Sequence, residues 1–410
     1  MRTVSLATVG CKLNQYETQL LTENFKLNGF RVVACAEDAD VVVINTCSVT
    51  SRAEATARNL VYRSTKLSPK PYVAITGCYA KRKKDELLRI DGVDFVGASG
   101  ELLDSLGYIE RTSHISSFNG HTRVFVKIQD GCDNFCAFCV LPYIRGKPQS
   151  RGRDELFEEV CILCRGGYRE IVLTGINIGN YADDGVDLTG LLKNLEQIDS
   201  LKRLRLSSIE PTHVTDRFLD YMCHSSKLCS HLHIPLQSGD ATILRRMGRR
   251  YTSGDYSSLI HQLKQRLPDV AIGADVMVGF PGETKSRFDN TVALIETLPL
   301  SYLHVFRYSP RDGTAASKLG DEVAEDEKKR RSAQLISLGR RKWKDYCEAF
   351  VGKEMEVLIE HRREPKSGRL VGLSSNYIRA LMDGEDYLMG RFLTVRLQRS
   401  TGRYCEAEIA

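Results

Sequence analysis

Short apolar runs alternate with longer amphipathic stretches over the first three-quarters of the chain. Residues 4–9, 41–45, 72–76 and 93–96 are apolar runs, and 15–28 places apolar residues at helical spacing. Strands alternating with helices predict a parallel sheet covered on its faces, a doubly wound α/β unit over residues 1–115. Residues 113–122 are polar with Gly and Ser, and predict a linker. The alternation resumes at 124–128, 171–173, 203–207, 232–236, 271–278 and 302–308. Six such βα repeats predict a partial (β/α)6 barrel within residues 116–345, with its active site at the C-terminal strand ends. A charged helical stretch, 321–344, closes this region. Over 346–410 the texture changes to five short runs, 354–359, 369–374, 377–381, 392–397 and 403–409, with turn residues between them. They predict a small five-stranded β-barrel of oligonucleotide-binding type. The fold class is therefore α/β in three parts, without internal repeats or low-complexity segments.

Composition changes this picture little. Hydrophobic residues make up 42% and charged residues 27% of the 410 positions, ordinary for a soluble protein. The net charge of +6 permits a polyanionic partner without demanding one. Residues 346–410 carry ten Lys/Arg and ten Asp/Glu, so charge alone does not mark the last part as nucleic-acid-binding. No apolar run approaches the ~20 residues of a membrane span. The run after Arg2 is too short for the core of a signal peptide. A cytoplasmic protein without membrane association is expected, in which thiols stay reduced. Thirteen cysteines, an odd number, then point to metal or catalysis and fit a disulfide framework poorly.

The cysteines carry the chemistry. Cys132, Cys136 and Cys139 form C-x₃-C-x₂-C with no fourth thiol in register. Three thiolates on an iron–sulfur cubane leave one iron open to a small molecule. Structural zinc is the alternative, but it prefers four ligands in paired units. Cys11, Cys47 and Cys78 each follow a predicted strand of the first unit. Equivalent ends of parallel strands converge on one sheet edge, so these thiols can meet. Three unrelated buried cysteines are the bland alternative. Cys161 and Cys164 lie i, i+3 within the helical pattern 154–165 and read as core packing. Cys35, Cys223, Cys229, Cys347 and Cys405 have no partner spacing and read as structural, as do Trp343, His231 and His233.

Polar residues recur just after the barrel strands. Thr174, Gly175, Asn177, Ser208, Glu210, Gln237 and Ser238 are candidate cofactor contacts, with turns and helix caps as the alternative. Basic runs at 81–84, 245–250 (Arg245, Arg249, Arg250) and 341–344 are either solvated helix faces or phosphate contacts. The loop 142–151 adds Arg145 and Arg151 beside the central cysteines.

Taken together, the two triplets resemble the methylthiotransferase branch of radical S-adenosylmethionine (SAM) enzymes. The matching strings are Thr8-Val-Gly-Cys-Lys-Leu-Asn-Gln-Tyr-Glu17, Asn45-Thr-Cys-Ser-Val-Thr50, Thr76-Gly-Cys-Tyr-Ala80, the central triplet with Phe138, and His233-Ile-Pro-Leu-Gln-Ser-Gly239. The resemblance covers essentially the whole chain. It implies an N-terminal cluster-binding domain, a radical SAM partial barrel and a C-terminal TRAM domain. It further implies two [4Fe–4S] clusters, one on Cys132, Cys136 and Cys139 and an auxiliary one on Cys11, Cys47 and Cys78, and two SAM per turnover. Phe138, the strand Asp275 to Glu283 (with Asp275, Val276 and Gly279) and Phe306 would contact SAM. Reductive cleavage of SAM would give a 5′-deoxyadenosyl radical that takes hydrogen from adenine C2. Sulfur would be inserted there, and a second SAM would supply the methyl group.

Gly10-Cys-Lys-Leu-Asn-Gln15 and Tyr308-Ser-Pro-Arg-Asp-Gly-Thr-Ala315 look like the subgroup that acts on threonylcarbamoyladenosine (t6A) at position 37 of tRNA. Subgroups acting on isopentenyladenosine tRNA or on ribosomal protein S12 are the alternatives within the branch. A non-catalytic iron–sulfur RNA-binding protein is the alternative outside it. Asn376 and Tyr377 of the C-terminal part would contact RNA by the same resemblance. The implied partners are the tRNA anticodon stem-loop, an electron donor such as flavodoxin or ferredoxin, and a sulfur source. The protein is expected to be a monomer.

Overall fold

A computed structural model describes every residue except Met1, Val49, Ile109 and Asn119. The first unit is an all-parallel sheet of β1 (Thr3–Thr8), β2 (Arg31–Val32), β3 (Val41–Thr46), β4 (Tyr72–Thr76) and β5 (Phe95–Val96), in the order β2-β1-β3-β4-β5. Every residue of central strand β3 is buried. Its alternating side chains feed two cores, as a pleated strand requires. Val41 and Val43 pack with Leu21 and Phe25 of the helix Lys12–Leu27. Val42 and Ile44 pack with Ala57 and Val61 of the helix Ser51–Ser64. Helices on both faces are what the apolar alternation predicted. The two-residue strand β2 was not predicted, being too short to carry a period.

The predicted linker is not a loose one. Ile115 and Phe118 are buried. The Ile115 amide donates to Glu159 Oε1 (2.8 Å) and the Phe118 amide to Tyr168 Oη (2.8 Å). Two apolar side chains within a polar composition pin this segment to the second unit.

That unit contains six parallel strands: β6 (Val124–Asp130), β7 (Glu170–Gly175), β8 (Arg203–Leu206), β9 (His231–His233), β10 (Ala271–Val278) and β11 (Tyr302–Arg307). The ladder runs β6-β7-β8 and β9-β10-β11, and bridges at Leu204–Leu228 and Ser208–His233 join the two sets. The result is an open, partial barrel around one large apolar core. Its C-terminal strand ends face the sheet edge of the first unit that carries Cys11, Cys47 and Cys78, as the Arg145 contacts below demonstrate.

The helix Glu325–Glu348 packs along β11, where a Cβ on Gly339 would come within 3.1 Å of Leu303 Cβ. It leads into β12 (Glu354–Arg363), β13 (Leu370–Ser374), β14 (Arg379–Met382), β15 (Phe392–Ser400) and β16 (Cys405–Ile409), a closed barrel in the order β12-β13-β14-β16-β15. Two arginines on β8 hold it. Arg205 donates to the Ser374 and Ser375 carbonyls (3.0 Å each) and to buried Glu170 (2.7 Å). Arg203 donates to the carbonyls of Leu373 (3.0 Å) and Glu356 (2.8 Å). Charge-assisted bonds to these backbone carbonyls fix the orientation of the small barrel.

Candidate active site

Cys11, Cys47 and Cys78 stand at the C-terminal ends of adjacent strands β1, β3 and β4. Register aligns Thr8 with Asn45 and Asn45 with Thr76, so the three thiols leave the sheet at one level. The backbone there is tightly fitted. Gly77 has φ +89°, and a Cβ on it would lie 2.3 Å from the Thr46 carbonyl oxygen. Only glycine takes that conformation without strain. Asn14, fully buried, donates to Asn45 Oδ1 and the Thr46 carbonyl (3.2 Å each) and accepts from Cys11 Sγ (3.1 Å). This lattice locks the loops that present the thiols.

Cys132, Cys136 and Cys139 follow β6. The Cys132 amide donates to the Gly146 carbonyl (3.0 Å), and the Ala137 amide to the Met247 carbonyl (2.9 Å). Burial pushes the Cys139 thiol up to about 12 and also raises Cys132 and Cys78. Buried thiols of this kind become thiolates only beside strong positive charge, which cluster iron supplies. In each set three cysteines stand on a rigid frame and, among the described residues, have no fourth in register, a donor set that fits a cubane with one open iron. The other seven cysteines lie elsewhere: Cys161 and Cys164 on the helix Arg153–Arg165, Cys347 and Cys405 in the C-terminal core, and Cys35, Cys223 and Cys229 apart from both sets.

One buried arginine serves each set. Arg145 Nε donates to Cys78 Sγ (3.2 Å), while its Nη1 and Nη2 reach Glu17 (2.5 and 3.1 Å) and Nη1 reaches Asp130 (3.1 Å). Asp130 lies two residues before Cys132, so this one side chain links the two thiol sets. Arg249 donates to Cys136 Sγ (3.2 Å) and pairs with Glu210. A cavity of about 660 Å³ opens at the barrel mouth, lined by Thr50 and Arg52 of the first unit and by Phe138, Cys139, Gln237, Asp275, Phe306, Tyr308 and Arg311 of the second. Its size suits a nucleoside-scale ligand. Gln237 projects from a left-handed backbone (φ +65°), a strained conformation for a residue with a side chain. Burial opposes the charge on Asp275, but hydrogen bonds from His233 and His304 hold its carboxyl far below the ordinary range.

Comparison with known proteins accords with this geometry. Residues 3–97 match a family described as "Uncharacterized protein family UPF0004", 126–295 the radical SAM superfamily and 348–410 the TRAM domain. The threonylcarbamoyladenosine tRNA methylthiotransferase MtaB of Bacillus subtilis (strain 168) is 35% identical over 100% of this chain and 96% of its own length. The chain belongs to the MtaB-type radical SAM methylthiotransferases. A second MtaB, from Aquifex aeolicus, is 35% identical over 93% of this chain and 97% of its own. A tRNA-2-methylthio-N(6)-dimethylallyladenosine synthase of Thermotoga petrophila is 32% identical over 97% of this chain and 94% of its own. Among solved structures, the radical SAM methyltransferase TsrM of Kitasatospora setae shares the fold (TM-score 0.59, 15% identity, 77% of each chain). Membership brings iron–sulfur and SAM chemistry, a tRNA substrate and the TRAM domain. Among the described residues, no helix is long and apolar enough to cross a membrane.

The structure divides the remaining candidates. Phe138, Gln237, Asp275 and Phe306 line the cavity. Thr174, Gly175 and Asn177 sit at the end of β7, where the Asn177 amide donates to Gln129 Oε1 (2.9 Å) and the Asn177 Oδ1 has no partner among the described residues. Ser208 is exposed beside β9 and Glu210 is paired with Arg249. Ser238, expected at the cofactor, is fully buried; its hydroxyl bonds Thr291 and the Asp240 amide. Val276 is buried within β10. Gly279 lies under Lys328, whose Cγ would be 2.3 Å from a Cβ there.

Five of the seven expected RNA contacts have other work. Arg145 and Arg249 are buried at the thiol sets, their side chains 5% and 4% exposed. Arg151 joins Glu155, Glu159 and the Tyr16 hydroxyl across the seam between the first two units. Asn376 is buried, and Tyr377 stacks on His231 (4.2 Å between centroids) at the foot of the small barrel. Partners within the fold satisfy them first: carboxylates for the three arginines, the Ser374 hydroxyl for Asn376 and the His231 ring for Tyr377. Arg245 and Arg250 remain exposed. Glu17, Asn14 and Glu54 were not singled out, although Glu17 and Asn14 lie inside a string recognised for its cysteine.

Proposed function

We propose that this protein methylthiolates C2 of t6A37 in tRNA, forming 2-methylthio-t6A. The observation that carries the reading is one cavity walled by both units, lined by Cys139 of the second and by Thr50 and Arg52, at the start of the helix after Cys47, of the first. We infer two [4Fe–4S] clusters, one per thiol set, in a chain divided near residues 115 and 345. When bound, the clusters and SAM would supply reductive cleavage and the methyl group. The protein's own part is positional. Phe138, Gln237, Asp275 and Phe306 shape the SAM and substrate cavity, and Arg145 and Arg249 offset thiolate charge. Exposed Arg245 and Arg250, the latter against the Asp133 carbonyl next to Cys132, meet RNA phosphates. An electron donor such as flavodoxin or ferredoxin and a sulfur source complete the cycle, with the enzyme acting as a cytoplasmic monomer. Nucleoside mass spectrometry of tRNA from cells lacking the gene tests this. Loss of 2-methylthio-t6A alone supports it; loss of the 2-methylthio isopentenyl derivative, or no change, refutes it.

A further inference from the structure

We infer that Arg311 and Tyr308 form a carboxylate-binding subsite that selects the threonyl group of the substrate. The inference rests on the t6A reading and names the residues that would distinguish that base from one bearing a hydrocarbon chain. The observation is a pair of orphaned donors. Arg311 is 6% and Tyr308 4% exposed, and both line the cavity shared by the two thiol-bearing units. Arg311 Nη2 and Tyr308 Oη are buried and have no hydrogen-bond partner among the described residues. A buried guanidinium N–H left unpaired is costly, and native proteins rarely leave one without a ligand, water or ion.

The surrounding charges leave this face of Arg311 available. Its Nη1 is 3.3 Å from Glu54, but Glu54 also pairs with Arg82 at 2.7 Å, so one carboxylate is shared by two cations. The two acids on the cavity wall are engaged elsewhere: Asp275 with His233 (2.9 Å), and Glu325 with Lys328 (2.8 Å) and Arg307 (3.5 Å). Arg52 adds positive charge to the wall. A guanidinium and a phenol side by side are donors for an anionic oxygen. The threonyl group ends in a carboxylate, whereas an isopentenyl group offers no acceptor. A site with buried donors rejects a ligand that leaves them unpaired more strongly than an apolar pocket rejects a misfit.

The test measures binding to the reconstituted enzyme with SAM present, by fluorescence anisotropy. Three anticodon stem-loop RNAs are compared: one with t6A, one with its threonyl methyl ester and one with unmodified adenosine. The wild type should bind the t6A hairpin roughly ten- to a hundredfold more tightly than the ester, the range of a charge-assisted bond in a buried site. Arg311→Met should erase that ratio and leave ester binding unchanged, and Tyr308→Phe should reduce it. Arg82→Met removes the other cation from Glu54 without touching the cavity and should keep the ratio. Three results overturn the inference: no ratio in the wild type, a ratio that survives Arg311→Met, or equal weakening of all three RNAs by Arg311→Met, which indicates a phosphate contact. An effect of Arg82→Met equal to that of Arg311→Met also overturns it, because a displaced loop would then explain both. Methylthiolation is scored on the same samples. Carboxylate discrimination without methylthiolation refutes the t6A reading alone; methylthiolation without discrimination refutes the subsite alone.

Discussion

Replacing Arg145 with Met should loosen the seam between the first two units. The side chain makes three contacts across it, to Glu17 (2.5 and 3.1 Å) and Cys78 (3.2 Å), and is held on its own side by Asp130 (3.1 Å). It is 5% exposed, with Glu17 at 18% and Asp130 at 23%. Removing one partner of a buried ion pair costs about 3–5 kcal/mol, because the other charges stay buried and unpaired. The carboxylates are partly solvated, so the lower end applies, about 3 kcal/mol, or roughly a hundredfold in the equilibrium for opening the seam. Hydrogen exchange at Ile115 reads that opening, because its amide bonds Glu159 Oε1, which also accepts from the Tyr16 hydroxyl of the first unit (2.9 Å). Protection there should fall by roughly two orders of magnitude. Arg217→Met, at an exposed pair with Asp187 (63% and 47% exposed), should change protection by less than about 1 kcal/mol. Arg145→Lys keeps the charge but not the fork and should fall between. If Arg145→Met behaves like Arg217→Met, the tether assigned to Arg145 is wrong.

Other consequences are equally direct. Gly77→Ala forces a side chain into a left-handed backbone against the Thr46 carbonyl, a strain of at least about 1–2 kcal/mol that moves Cys78; auxiliary-site iron should be lost while SAM cleavage survives, and full iron content would contradict this. Arg205→Met strips the donors from the Ser374 and Ser375 carbonyls and one cation from buried Glu170, so the urea midpoint for the C-terminal barrel should fall by the equivalent of about 3–5 kcal/mol; an unchanged midpoint refutes its docking role. The Cys139 thiol, raised to about 12 by burial, stays protonated at neutral pH and must lose its proton to bind iron. With Cys11, Cys47 and Cys78 replaced by Ala, the initial rate of reconstitution at the central triplet should therefore rise by up to about tenfold per unit from pH 7 to 9, and a flat profile would count against a buried thiol.

Much of this was legible in the chain because strands buried on both faces are nearly all apolar. Residues 72–76 and 271–278 were delimited as strands on that basis, and they coincide with Tyr72–Thr76 and Ala271–Val278. Both cysteine sets were legible because position after a strand fixes where a thiol emerges. What the chain conceals is the identity of partners distant in sequence. Arg145 and Glu17 are 128 residues apart, and only the packed seam brings them together. A basic run announces charge but not whether a carboxylate will neutralise it, so Arg151 and Arg249 read as phosphate contacts until their partners were visible. Arg311 was noticed only as part of a subgroup string; its orphaned nitrogen exists only in three dimensions.

The central claim is that two three-thiolate sets on one chain each hold a cluster. Iron content after anaerobic reconstitution tests it most directly, with Mössbauer spectra identifying the cluster type. The wild type should hold about eight irons per chain as two [4Fe–4S] clusters, and the triple Ala variants at Cys11, Cys47 and Cys78 or at Cys132, Cys136 and Cys139 about four each. Wild-type iron content in the Cys11, Cys47 and Cys78 variant would contradict the account.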